Sequence, residues 1–139
     1  DLVLLCVENG VRGKTRLQHL VYLLSLGRRG EDGFLAGYFG PCSSRVAYEV
    51  EKLCNLNFLR EEITPLGDGC VLHTYSLTSH GRAMCEELMK AYPQECERIQ
   101  NITVKINQVP DEELIKATKA CYILRAFLEE VGGKVKTEG

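Results

Sequence analysis

Between Pro41 and Asn55 the chain sets Ser43, Ser44, Arg45, Tyr48 and Lys52 around the apolar Val46, Val50, Leu53 and Cys54. On a helix the apolar four face a core and the hydrogen-bonding residues face out. That outward set has the chemistry of duplex reading. An arginine forks onto guanine, hydroxyls suit phosphates or mixed base edges, and a lysine holds a phosphate. Glu49 and Glu51 oppose it, because a carboxylate facing the DNA backbone is repelled unless it reads a cytosine amine. The bland alternative is a solvated face, with Arg45, Glu49 and Lys52 in i, i+3 and i+4 ion pairs of roughly 0.3 kcal/mol each.

Other reactive residues point to little chemistry. Cys42 precedes or caps the same helix, where backbone N–H groups favour a thiolate, so it is the candidate redox thiol, against the alternative of an idle one. Seven cysteines and three histidines permit a Cys–His pair. Yet no Gly-rich phosphate loop, paired-carboxylate motif or nucleophile elbow is present, and the reading is non-enzymatic. No two cysteines are closer than eleven residues, and His19, His73 and His80 form no H-x-x-x-H pair. Neither a metal site nor a cofactor is expected, and no small-molecule ligand is identifiable. Cys54, Cys85, Cys96 and Cys121 fall on or beside apolar helix faces, where cysteine acts as a small hydrophobe. Free thiols in a reducing interior are expected, with hyperthermophile-type disulfides as the alternative.

The elements that must position the outward set can be read from periodicity and punctuation. A helix end at residues 1–8 closes on Asn9-Gly10. Residues 14–26 form a second helix with Leu17, Leu20, Val21 and Leu24 on one face, stopped by Gly27 and followed by Arg28-Arg29 and a loop over 30–33. Residues 34–39 read as a short strand, and Gly40-Pro41 opens the third helix, capped by Cys42 or Ser43. A hairpin follows, residues 60–66 and 71–77 around Gly67-Asp68-Gly69. Thr78 caps a fourth helix to about Tyr92, with Met84, Leu88 and Ala91 inward. Pro93 starts a fifth, with Cys96, Ile99, Thr103 and Ile106 in line. The last helix, 111–131, carries one stripe of Leu114, Ala117, Cys121, Leu124 and Leu128. A second stripe of Ala120, Ile123, Phe127 and Val131 lies beside it. That arc is wide for a small core, so a homodimer is expected, against both stripes packing within one chain.

Composition restricts the classes further. With 45% hydrophobic and 26% charged residues the chain is globular rather than disordered. Its longest apolar run, residues 2–7, is far short of the roughly 20 residues a membrane span needs. No leader is visible, so the cytoplasm is the expected address, and the abrupt apolar start suggests further residues upstream. The net charge of −2 argues against bulk-charge binding to nucleic acid. Residues 1–60 hold eight Lys/Arg against six Asp/Glu, and residues 61–139 nine against thirteen. A basic surface must therefore centre on Arg12, Lys14, Arg16, Arg28 and Arg29. The hairpin from Glu61 to Leu72 has no Lys or Arg and carries Asp68 at its tip.

Three segments in order, Lys14-Thr-Arg-Leu-Gln-His-Leu-Val-Tyr-Leu-Leu24, Tyr38-Phe-Gly-Pro-Cys-Ser43 and Tyr75-Ser-Leu-Thr-Ser-His-Gly81, carry a likeness. Together they resemble the archaeal and bacterial winged-helix proteins of the YwgA type, similar to the Panacea antitoxin-like domain. The family pattern is K-x-x-L-Q-K-L-x-x-L, then Y-G-P-x-S, then Y-x-L-T-x-x-G, with His19 here in place of a basic residue. The resemblance covers residues 14–92 and implies a transcription regulator, with no catalytic or ligand residue to carry over. The expected fold is mainly α with a small β-hairpin, a winged helix-turn-helix with a C-terminal helical extension. Its parts are a winged-helix domain (1–92), a helical, dimerising extension (93–133) and a flexible tail (134–139). The expected function is transcriptional regulation through double-stranded DNA. The alternative is a winged-helix protein–protein interaction module without DNA binding.

Overall fold

The computed structural model describes residues 2–25, 34–37 and 39–138. Helix α1 (Leu2–Val7) is apolar on every side, and five of its six residues are buried. Such a helix needs cover all round, and α1 lies in a core cluster with α2 (Lys14–Ser25), α3 (Ser44–Asn55), α4 (Ser79–Ala91) and α5 (Pro93–Asn107). Helix α2 buries Leu17, Leu20, Val21 and Leu24, the stripe its spacing predicted. Helix α3 buries Val46, Val50 and Leu53.

Three strands form an antiparallel sheet in the order β1 (Val11–Arg12), β5 (Cys70–Leu77), β4 (Leu59–Gly67). Leu59 stands opposite Leu77, and Val11 opposite Tyr75. The tip residues Gly67, Asp68 and Gly69 all have positive φ, which glycine adopts freely and aspartate tolerates. Strand β1 was not expected. Two residues show no alternation, and β1 exists because β5 offers it an open edge.

A second hairpin corrects the sequence reading. β2 (Leu35–Gly37) pairs with β3 (Gly40–Cys42), so Leu35 faces Cys42 across it. The expected single strand over 34–39 is thus two short strands, with Tyr38 outside the described residues. Pro41 ends up in a strand rather than a first helical turn, as an outermost strand can spare its missing N–H. Helix α3 therefore begins at Ser44. The expectations for Gly27, Arg28, Arg29 and the loop at 30–33 also fall outside the described residues.

The later helices correct two burial assignments. Thr78 caps α4 by accepting a hydrogen bond from the Gly81 N–H at 3.1 Å. Gly81 and Cys85 are buried, Leu88 and Met89 half-buried, and Met84 and Ala91 exposed rather than inward. The helix is turned toward Gly81 because its bare Cα rests on the Phe58 carbonyl, where a Cβ would collide. Helix α5 follows expectation, burying Cys96, Ile99 and Thr103. Helix α6 (Asp111–Glu138) buries Leu114 and Thr118 against α2 and β3, but Ala117, Leu124 and Leu128 are exposed, as are Ile123, Phe127 and Val131. Its first turns rest on the body, and residues 126–131 are exposed throughout. Helical backbone continues over 134–138, the segment expected to be a tail, since no proline follows to end it. No helix among the described residues is long and apolar enough to cross a membrane.

Candidate nucleic-acid interface

The entry to α3 is built by two side chains. The Ser43 hydroxyl accepts a hydrogen bond from the Val46 N–H at 3.2 Å, the expected N-cap geometry. Gln18, on α2, grips the same residue from both sides. Its Nε2 donates to the Ser43 carbonyl at 2.9 Å, and its Oε1 accepts from the Ser43 N–H at 3.0 Å. This clamp fixes the start of α3 on α2. It also removes Ser43 from the expected contact set, because the residue is 0% exposed.

The other four candidates are brought together. Ser44, Arg45, Tyr48 and Lys52 are all exposed, Tyr48 by 63%. At 100° per residue they occupy a continuous arc centred between Tyr48 and Lys52, opposite the buried Val46 and Val50. Glu49 and Glu51 fall on the two flanks of that arc. Glu49 is half-buried. Glu51 lines a groove of about 430 Å³ between α2, α3 and the β4–β5 hairpin, together with Lys14, Asn55 and Glu61. The centre of the helix face is therefore cationic and hydroxylated, and its acids are displaced to the edges.

Among the described residues, the expected basic surface keeps Arg12 and Lys14. Arg12 and Lys14 are both exposed, at the junction of β1 and α2. Arg16 is spent elsewhere. Its Nη1 donates to Asp111 at 2.6 Å, and its Nη2 donates to the carbonyls of Ile106 and Val109, each at 2.8 Å. It closes the C-terminus of α5 and holds the turn into α6, satisfying carbonyls a helix end leaves open.

The hairpin beside α3 is exposed along the whole of β4 after Leu59. It presents Glu61, Glu62 and Asp68, with Ile63, Leu66 and Val71 exposed by 57, 61 and 49%. Its histidine, His73, pairs with Glu61 at 3.3 Å.

The thiols are unpaired. Burial pushes Cys6 up to about 12 and Cys85 up to about 11, so these two are inert packing groups. Cys42 is exposed but belongs to β3, one residue before the cap, not to the helix. Among the described residues no group of three His, Cys, Asp or Glu side chains is arranged to hold a metal ion.

Sequence reasoning missed His19. It is 1% exposed, hydrogen-bonded to the Phe39 backbone, and its Nδ1 has no partner. Burial holds it below the ordinary histidine range, and the nearby Lys119 adds to that. Gly40 makes room for it, since a Cβ there would stand 2.9 Å from Nε2. The glycine of the Gly-Pro turn was the available signal. The chain matches no protein-family model, no curated protein and no solved structure.

Proposed function

We propose that the protein is a winged-helix regulator that binds double-stranded DNA with α3 in the major groove. The observation that carries this reading is the outward arc of α3. Arg45 and Lys52 share it with Ser44 and Tyr48, and both glutamates are rotated to its margins. The element order supports it: helix, strand, helix, the short β2–β3 hairpin, helix, then a hairpin whose second strand pairs with the first strand. Lys14 lines the groove beside α3, and Arg12 precedes it on β1; both are proposed for phosphates. The hairpin contributes little grip, as its tip is acidic.

The test is titration of fluorescent duplexes by anisotropy at low ionic strength, followed by selection of a preferred site. Arg45→Ala is expected to cost about 1–3 kcal/mol on that site and to relax selectivity there. Absence of salt-sensitive binding to any duplex refutes the reading. A second reading then takes its place, because Ile63, Leu66 and Val71 are exposed on an acidic hairpin whose outer strand has an open edge. In that case the hairpin is the docking element for another protein.

A further inference from the structure

Helix α6 carries Ala120, Ile123, Leu124, Phe127, Leu128 and Val131 at i, i+3, i+4, i+7, i+8 and i+11, the spacing of a helix-pairing stripe. Ile123 is 68% exposed, Leu124, Phe127 and Leu128 58–59%, and Val131 41%. Taking a large side chain at roughly 200 Å², these five expose on the order of 550 Å² per chain, at the upper end of the roughly 300–600 Å² that forms the largest patch of a typical monomer and often marks an interaction site. The stripe points away from Leu114 and Thr118, which hold the helix to the body.

We propose that this stripe is covered by the α6 of a second copy, running antiparallel. Two such faces bury about 1,100 Å², close to the lower bound of roughly 1,200 Å² for a stable interface. The exposed Ala117 and Ala120 beside them supply part of the remainder. The charges select the occupant and its direction. Lys119 and Glu130 lie just outside the Ile123 edge of the stripe, with Lys116 in line with Ile123 two turns earlier, while the opposite side carries Ala117 and Cys121. In an antiparallel pair each flank meets the same flank of the other copy. A two-fold axis near residues 123–124 then sets Glu130 of each copy beside Lys116 and Lys119 of the other. That axis also passes through Ile123 and Leu124, within the apolar stripe, so one register satisfies both patterns. A parallel pair would set the charged flank against the uncharged one, with nothing to match. The inference is independent of the DNA reading, since it uses no residue of α3.

The experiment is sedimentation equilibrium of the intact chain, from low to high micromolar concentration. The expected mass is twice the 15.6 kDa of one chain. Phe127→Asp is expected to give monomers with an unchanged circular dichroism spectrum, because the side chain makes no core contact. Met84→Asp, at an exposed apolar site on α4, is expected to leave the dimer intact. Lys116→Glu and Glu130→Lys should each weaken association roughly fivefold or more, since symmetry reverses two pairs at once. The double variant should recover part of it, because the two 116–130 attractions return in an antiparallel pair while Lys119 still faces a cation at position 130. A wild-type chain that stays monomeric overturns the proposal, as does a dimer that survives Phe127→Asp. A double variant weaker than either single one overturns the antiparallel arrangement.

Discussion

Single side chains decide how the α3 face is held, and Gln18 is the most consequential. It satisfies the N–H of a buried Ser43 whose carbonyl is also used by the Ala47 N–H. Gln18→Met keeps the bulk and removes both bonds, leaving that N–H orphaned. The expected loss is about 1–3 kcal/mol in urea unfolding, with Gln18→Glu intermediate, because a carboxylate still accepts from Ser43 but cannot donate to it. His19 makes stability depend on pH. Its folded pKa lies below 6.5, so the fold prefers the neutral ring. The unfolded chain takes up the proton first as pH falls, and the stability held above 6.5 is lost on acidification toward the folded value. Unfolding free energy should therefore drop between about pH 7 and pH 5, and His19→Gln should show a shallower drop over the same range.

At the scale of elements, two contacts set how helices meet. Arg16 joins α2 to the α5–α6 turn by three bonds, so the direction of α6 is fixed by a residue roughly ninety positions earlier. Gly81 sets the approach of α4 to the end of α3. Adding a methyl there drives it into the Phe58 carbonyl, and backbone cannot yield as a flexible side chain would. Gly81→Ala is expected to destabilise by about 3 kcal/mol, read as a lowered midpoint of thermal unfolding. An equal change at Gly69, where a Cβ would meet nothing, is strained only by its φ of +78°. It should cost about 1 kcal/mol. The contrast separates collision from conformational preference.

For the whole molecule, charge sets an upper limit on how DNA binding could depend on salt. Among the described residues the cations placed for a duplex are Arg12, Lys14, Arg45 and Lys52. With Arg45 on a base, three phosphate contacts imply a log–log slope no steeper than about −2.7 per chain. A measured slope near about −8 per chain would mean that the contacting surface lies elsewhere. Dimerisation through α6 would double the slope per complex without changing it per chain, and it would impose two half-sites on the target.

The sequence by itself determined the elements whose signals are local. The stripes of α2 and α5, the caps at Ser43 and Thr78, and the glycine-flanked tip of the β4–β5 hairpin all depend on neighbours within a turn or two. It also placed Arg45, Tyr48 and Lys52 on one outward arc, because helical periodicity alone does that. Tertiary structure decided what depends on distant partners. Strand β1 needed the edge of β5, and β3 took Pro41 and Cys42 out of the helix. Arg16 became a clasp because α5 ended beside it, and Ser43 became a cap sealed by Gln18 rather than a contact. The exposed stripe of α6 shows the same division: the pattern of the helix is local, but where the body stops beneath it is a property of the packed whole.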